Sequence, residues 1–358
     1  MKNKIQELAE YGQSVWLDNI SRDIINSGKL DELIKNGLCG MTSNPTIFQK
    51  AVSASSAYDE IIKANSGKST FEIYDELTIK DIQDAADKFK DLYEATNGRD
   101  GYVSLEINPK LAHDAIATIE EGKRLHAKVN RKNLMLKIPA TDQGFLAIAD
   151  LVGEGFNINV TLIFSPEQYE KTTEAFIDGL ILLDKEGGDL REVHSVASVF
   201  VSRIDALVDS KLNDETLKGQ AAVSNSRIIY QKYFDIFNAH DFADLGKLGA
   251  NKQRVLWAST GTKNTDYSDV KYIDELIAKN TVNTMPEATL KAYLDHGKFQ
   301  IDFEKNLAEG YELMVKLGTV GIDMKDVYQT LLTQGVDSFI KSFEDLLTDI
   351  EKKAAVLK

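Results

Sequence analysis

The sequence has few of the residues that form disulfides, metal sites and membrane spans. Its 358 residues include one cysteine, Cys39, so no intrachain disulfide can form and a reducing cytoplasm is the expected compartment. The five histidines are scattered, without His-x-His or His-Glu-x-x-His spacing, and we expect no metal. No apolar run is long enough to cross a bilayer, and residues 1–10 are too polar for a signal peptide.

Basic residues are also in the minority. The chain has 42 Lys and Arg against 56 Asp and Glu, a net charge of −14, which disfavours nucleic acid and anionic membranes as partners. A small anionic substrate is compatible with this balance, because a local basic pocket can form on an acidic protein. Hydrophobic residues make up 43% and charged residues 27%, as in globular proteins that bury a large core.

Eight short β-like segments alternate with longer helical ones. This alternation predicts a parallel sheet, and eight repeats favour a closed (β/α)8 TIM barrel. An open doubly wound sheet is the alternative, although no glycine-rich dinucleotide loop follows the first segment. We expect one domain over residues 1–358, with a C-terminal helical extension at 286–358. The predicted strands are residues 14–18, 38–42, 101–106, 134–138, 158–164, 193–198, 255–259 and 281–285.

Helical patterns fill most of the intervening chain. Apolar spacing predicts a helix over residues 23–34, and residues 165–168 (Ser-Pro-Glu-Gln) have the pattern of an N-cap, a proline at N1 and a capping-box glutamine. Residues 284–287 (Thr-Met-Pro-Glu) repeat that pattern. The gaps at 46–100 and 204–254 are long enough for several additional helices each.

The C-terminal region contains one further amphipathic pattern. Apolar residues between 336 and 350 recur at spacings of three and one, which predicts a helix with one apolar face. We expect a closing helix packed on the barrel. A helix that binds a partner is the alternative.

Polar residues gather where the predicted strands end. A barrel binds its substrates at the C-terminal ends of its strands, which explains ionisable groups at these positions. On the fifth strand, alternation places Asn159 and Thr161 on one face, expected to line the interior, and Val160 on the other. The strand-end residues are Asp18, Asn44, Glu106, Lys137, Asn159, Thr161, Ser198 and Ser259.

Lys137 lies within an apolar strand, where an unpaired cation is costly to bury. It could reach solvent, or it could pair with Glu106. It could also act as a nucleophile, which requires the neutral amine. Lowering a lysine pKa from about 10.4 to near 7 disfavours the cation by roughly 4–5 kcal/mol, and burial supplies much of that. Asp18 and Glu106 would then serve as proton shuttles, although either alone could be a helix cap or a salt bridge.

Three blocks of the sequence resemble the transaldolase family. They are residues 40–48 (GMTSNPTIF), 133–141 (NLMLKIPAT) and 159–165 (NVTLIFS), and the resemblance extends over roughly residues 14–294. The chain length and residues 257–260 (WAST) are similar to the longer bacterial branch. The resemblance implies a (β/α)8 fold without a metal or organic cofactor.

The resemblance also implies a reaction of the pentose phosphate pathway. A dihydroxyacetone unit passes from sedoheptulose 7-phosphate to glyceraldehyde 3-phosphate, giving erythrose 4-phosphate and fructose 6-phosphate. The expected partners are therefore small sugar phosphates, and the protein is expected to be a monomer or a homodimer. The alternatives are a Schiff-base fructose 6-phosphate aldolase and a catalytically silent sugar-phosphate sensor.

Residue by residue, the resemblance assigns catalytic roles at four positions. Lys137 matches the Schiff-base lysine, and Asp18 matches the acid/base that removes the C4 hydroxyl proton as the C3–C4 bond breaks. Glu106 matches the residue that handles water as the carbinolamine forms and dehydrates. Thr161 matches the residue that helps to hold that water.

Five further positions match substrate-binding residues, and a sixth residue is a candidate for that role. Asn44 and Asn159 match amides that hold the hydroxyls of the three-carbon unit, and Ser198 matches another substrate contact. At the phosphate end the residues depart from the commoner pattern, with Val199 and Ser202 where Pro and Gly are frequent. The matching residues at this end are Arg203 and Ser259. The candidate for the second basic ligand is Lys263, which could instead be an exposed loop lysine.

Overall fold

A computed structural model describes residues 2–357 as a closed barrel of eight parallel strands that follow one another in chain order. The barrel closes where β8 pairs with β1, with Gln13 opposite Thr281. The predicted (β/α)8 barrel is confirmed, and the open sheet is wrong. The strands are β1 Gln13–Asp18, β2 Gly40–Thr42, β3 Tyr102–Glu106, β4 Leu134–Pro139, β5 Ile158–Ile163, β6 Ser195–Phe200, β7 Arg254–Ala258 and β8 Thr281–Met285.

Sixteen α-helices surround the barrel within residues 2–357. The gaps at 46–100 and 204–254 each hold several helices, as predicted. None of the described helices is long and apolar enough to cross a membrane. The helices are α1 Lys4–Tyr11, α2 Arg22–Asn26, α3 Lys29–Lys35, α4 Pro45–Ala54, α5 Asp59–Ala64, α6 Thr70–Ala95, α7 Ala115–Val129, α8 Asp142–Gly153, α9 Pro166–Lys185, α10 Ser202–Lys211, α11 Ala221–Phe237, α12 His240–Lys247, α13 Lys271–Asp274, α14 Glu287–His296, α15 Glu309–Thr319 and α16 Met324–Leu357.

The helix predicted over residues 23–34 is wrong as a single element. It is divided into α2 and α3, because Gly28 between them has φ +82°, a conformation that glycine adopts at little cost and that a continuing helix excludes. The side chain of Ser21 caps α2 by accepting from the Ile24 N–H.

One of the two predicted helix caps is confirmed. At α9 the Gln168 N–H donates to Ser165 Oγ over 2.9 Å, and the Gln168 side chain accepts from the Ser165 N–H. A helix does start at the end of residues 284–287, but the cap predicted there is wrong, because Thr284 is still part of β8 and its hydroxyl hydrogen-bonds to Thr42. Helix α14 begins only after Pro286, without a side-chain cap.

Polar side chains of β5 line the barrel interior, as the alternation predicted. The Asn159 amide donates to Ser104 Oγ on β3 over 3.0 Å, and β3 is not a neighbour of β5, so this bond crosses the interior. Tight packing fills the interior between β1 and β2. A Cβ atom at Gly40 would lie 2.7 Å from the Trp16 indole, so this position accommodates only glycine.

Helix α16 closes the C-terminal side of the barrel, which confirms the predicted closing helix. The hydroxyls of Thr46 on α4 and Ser342 on α16 hydrogen-bond over 2.8 Å. A Cβ atom at Gly335 would lie 2.9 Å from the Leu162 side chain, so α16 approaches the end of β5 closely. Its apolar face is therefore packed on the chain's own elements. The buried residues of this face include Val336, Phe339, Phe343, Leu346 and Ile350.

Candidate active site

The C-terminal strand ends bring a lysine and two carboxylates together. Lys137 on β4 is 4% exposed, which excludes the interpretation that it reaches solvent. Its Nζ donates to the Ser43 carbonyl over 3.1 Å and lies 3.3 Å from Glu106 Oε2. The predicted pairing of Lys137 with Glu106 is thus present, in a register that sets Glu106 opposite Lys137 and Lys137 opposite Asn159.

Glu106 is held near the midpoint of its titration at neutral pH. Burial raises its pKa to about 7, while the neighbouring Lys137 charge acts in the opposite direction. A carboxyl group with such a pKa can both donate and accept a proton at physiological pH. This is the requirement for general acid/base chemistry beside an amine.

Asp18 occupies the end of β1 on the other side of the interior. Its Oδ1 accepts from the Thr42 hydroxyl over 2.8 Å, and that hydroxyl is also 2.8 Å from Thr284 Oγ1. Burial raises the pKa of Asp18, and the charges of Lys137 and Lys263 oppose the shift. The carboxyl group is therefore also available for proton transfer, in a fixed orientation.

The amide of Asn159 and the hydroxyl of Thr161 face the same space from β5. Asn159 Oδ1 accepts from the Ser198 hydroxyl over 2.6 Å, so Ser104, Asn159 and Ser198 form one chain of hydrogen bonds. The Thr161 hydroxyl is fully buried and has no hydrogen-bond partner among the described residues. It is thus available to bind a water molecule or a substrate hydroxyl.

Asn44 is fixed at the start of α4, directly after β2. Its Oδ1 accepts from the Ile47 N–H over 3.0 Å and caps the helix, and Pro45 follows at the first helical position. This cap fixes the orientation of the amide. No described group accepts from its Nδ2, which leaves those donors for a ligand.

Basic residues meet beside Asp18 without carboxylate partners. Arg203 is the second residue of α10, with its guanidinium 5.7 Å from the centre of the Phe200 ring, and burial lowers its pKa. Burial also lowers the pKa of Lys263, and the charges of Arg203 and Lys50 add to this effect. None of these three cations forms an ion pair with a described carboxylate, so together they favour a bound anion.

Ser259 lies beside this basic cluster. It follows β7 in a left-handed conformation, φ +54°, which is uncommon for serine and frequent at functional sites. Its hydroxyl is 3.1 Å from that of Ser202, next to Arg203. The predicted phosphate-end residues are therefore brought together.

Two residues of this region were missing from the predicted site. Lys50 lies on α4, more than one turn beyond Asn44. Because α4 begins at the C-terminal end of the barrel, this helix can direct a lysine towards the site. Phe339 on α16 has its ring centre 5.7 Å from Lys137 Nζ and is 5% exposed. The only sequence signal for Phe339 was its place on the apolar face of the closing helix.

Comparison with known proteins identifies the family. The sequence pattern of the transaldolase/fructose-6-phosphate aldolase family matches residues 15–350. "Transaldolase" of Saccharopolyspora erythraea is 45% identical, with 98% of each chain covered. "Transaldolase" of Trichodesmium erythraeum is 43% identical, and "Transaldolase 2" of a Nostoc species is 42% identical, with 99% of this chain and 98% of the relative covered in both cases. The chain therefore belongs to the transaldolase/fructose-6-phosphate aldolase family.

Proposed function

We propose that the protein is a transaldolase of the cytoplasmic pentose phosphate pathway. It transfers a dihydroxyacetone unit from sedoheptulose 7-phosphate to glyceraldehyde 3-phosphate through a Schiff base on Lys137. The observation that carries the proposal is a buried strand-end amine between two carboxyl groups, Glu106 and Asp18, whose pKa values are both raised. A Schiff base of this kind needs an amine and a nearby proton donor and acceptor.

The first half-reaction forms the imine and breaks one carbon–carbon bond. The neutral Lys137 amine attacks the ketone carbon, and Glu106 donates the proton with which the carbinolamine oxygen leaves as water. Asp18 then removes the proton of the C4 hydroxyl. The C3–C4 bond breaks, its electron pair moves into the protonated imine, and the departing aldehyde leaves an enamine on Lys137.

The second half-reaction reverses these steps with the acceptor aldehyde. The enamine carbon attacks the new carbonyl carbon, and Asp18 returns its proton to the oxygen that becomes the C4 hydroxyl. Asn44, Asn159 and Ser198 hold the three-carbon unit in the interval between the two aldehydes. Thr161, with its unpartnered hydroxyl, holds the water that finally hydrolyses the imine.

The basic cluster is the proposed phosphate site. Arg203, Lys263 and Ser259 would bind the phosphate group at the end of the substrate remote from Lys137. Lys50 would add a third positive charge, since its field and that of Arg203 act on the same Lys263 amine. Binding energy from a remote group can orient the reacting carbonyl.

Product analysis distinguishes this activity from its alternatives. The protein is incubated with fructose 6-phosphate, with and without erythrose 4-phosphate. A transaldolase forms sedoheptulose 7-phosphate and glyceraldehyde 3-phosphate with the acceptor, and without it releases little free dihydroxyacetone. Equal turnover without acceptor would identify an aldolase, and no conversion under either condition would identify a sugar-phosphate sensor.

A further inference from the structure

A second polar cavity lies at the opposite end of the barrel from Lys137. It has a volume of about 480 Å³, within the range of small-molecule sites, and it opens among the segments that precede the strands. Met135 on β4 lines its inner wall, two residues before Lys137 and therefore about 7 Å away along the strand. The two sites thus lie back to back, separated by the side chains of the barrel interior.

The cavity is basic although the protein is acidic. Arg99, Lys252 and Arg254 line it, and none of the described residues that line it is an aspartate or a glutamate. Arg254 is neutralised by Asp100, with 2.9 Å between Nη2 and Oδ1, and both side chains are largely buried. Arg99 and Lys252 form no ion pair with any carboxylate whose side chain the structure describes. In a chain of net charge −14, two uncompensated cations on one cavity create a local positive potential.

Polar groups inside the cavity supply neutral hydrogen-bond donors. Tyr233 on α11 is 2% exposed, yet its hydroxyl makes no hydrogen bond to any described group. Its ring is fixed by stacking on Tyr230, with the ring centres 5.9 Å apart. The charges of Arg99 and Arg254 both act on this hydroxyl, while burial raises its pKa, so it stays protonated and can donate.

The base of the cavity is rigid. Besides Asp100, the Arg254 guanidinium donates to the Ser14 hydroxyl and to the carbonyl of Arg99. The second bond fixes the backbone of Arg99, so its side chain projects from a constrained position. At the rim, Lys252 is positioned by donating to the Asn238 side chain over 2.9 Å. A preorganised set of donors of this kind loses little entropy when it binds an anion.

We propose that this cavity is a second ligand site, which binds a small phosphorylated metabolite. The phosphate group would accept hydrogen bonds from Arg99, Lys252 and the Tyr233 hydroxyl. Arginine favours a phosphate, because its planar fork donates two parallel hydrogen bonds. The volume exceeds that of a phosphate ion, so the rest of the metabolite would fill the space beside Met135.

Calorimetric titration with inorganic phosphate tests the proposal at constant ionic strength. The cations of the basic cluster in the active site are first removed in the full chain by Lys50→Ala, Arg203→Ala and Lys263→Ala, so that remaining binding reports on other sites. Adding Arg99→Ala and Lys252→Ala should then weaken phosphate binding at least about tenfold, as expected for two charged hydrogen-bond donors. Replacing the exposed pair Lys35 and Lys185 by alanine removes the same net charge and should leave the affinity unchanged.

Two outcomes overturn the proposal. If the cavity variant and the control variant bind phosphate equally, the phosphate is an adventitious ion only. If the parent with the three active-site substitutions does not bind phosphate at tens of millimolar, the cavity is not a phosphate site. Tyr233→Phe retains the ring and should weaken binding about two- to tenfold, the range for one hydrogen bond. An unchanged affinity in that variant would refute the assignment of the hydroxyl.

Discussion

Replacing Phe339 by leucine tests whether the closing helix acts on the reacting nitrogen. The Phe339 ring lies 5.7 Å from Lys137 Nζ, and the protonated imine carries its positive charge on the same nitrogen. A cation over an aromatic face gains about 0.5–2 kcal/mol, with the upper value for desolvated pairs. Lys137 is 4% exposed, which favours the upper part of that range. Leucine keeps the site apolar but has no aromatic face, so we expect kcat/KM to fall about 5- to 30-fold.

The same helix offers a matched control one turn further on. Phe343 is 1% exposed and packs edge-on against Tyr74, with ring centres 5.2 Å apart. Phe343→Leu should lower the free energy of unfolding, as loss of packed volume does, without a comparable loss of kcat/KM. Phe339→Tyr keeps the aromatic face and should restore most of the activity that Phe339→Leu loses.

Steady-state kinetics with fructose 6-phosphate and erythrose 4-phosphate, together with urea unfolding, separate the two effects. Equal losses of kcat/KM in Phe339→Leu and Phe343→Leu would refute a specific role for the Phe339 ring. If Phe339→Tyr is as slow as Phe339→Leu, the aromatic face has no function of its own.

Three further predictions concern the carboxylates, the basic cluster and a buried acid outside the site. Asp18→Asn should still form the imine but block carbon–carbon cleavage, whereas Glu106→Gln should slow imine formation. If single-turnover trapping finds the same species at the same rate in both variants, the two carboxylates do not have these separate roles. Arg203→Ala and Lys263→Ala should each reduce kcat/KM for fructose 6-phosphate by about 2–3 kcal/mol of transition-state binding, with little loss for fructose, and equal losses would remove that residue from the phosphate site. Burial raises the pKa of Asp205 to about 6, so the ionised form is disfavoured in the folded state. As the pH rises from 4 to 7, the wild type should therefore lose up to about 3 kcal/mol of unfolding free energy relative to Asp205→Asn. A difference in urea unfolding that does not change with pH would contradict this prediction.

The barrel and the central polar residues could be predicted because their signals are local. Strand and helix alternate visibly, and a lysine or a carboxylate at the end of an apolar strand is unusual enough to be noticed. The proximity of Lys137 and Glu106 could be predicted from the rule that the C-terminal ends of parallel strands meet at one end of the barrel. Asn44 could be found because it closely follows a predicted strand, within the block at residues 40–48 that resembles the family.

The residues that were missed depend on how helices pack in space. Phe339 looks like any core residue of an amphipathic helix, and only the path of α16 across the barrel brings it to Lys137. Lys50 looks like a solvent-exposed helix residue, and its relation to Lys263 depends on the loop after β7. Neither relation is encoded in a short sequence pattern.

The two errors in the predicted elements have local causes. Apolar residues continue on both sides of Gly28, so their spacing predicted a single helix, although this glycine separates α2 from α3. Thr284 stands two residues before Pro286, close to the position of an N-cap, but the strand extends through it and its hydroxyl hydrogen-bonds inside the barrel. A residue that ends a strand and one that begins a helix can thus have the same sequence signature.

The central claim is that Lys137 forms the Schiff base. The most direct measurement is borohydride reduction of the protein in the presence of fructose 6-phosphate, followed by peptide mapping by mass spectrometry. The proposed function predicts a three-carbon adduct on Lys137 alone, and no adduct in a folded Lys137→Ala variant. An adduct on another lysine, or no adduct in a protein that turns over the substrate, would contradict it.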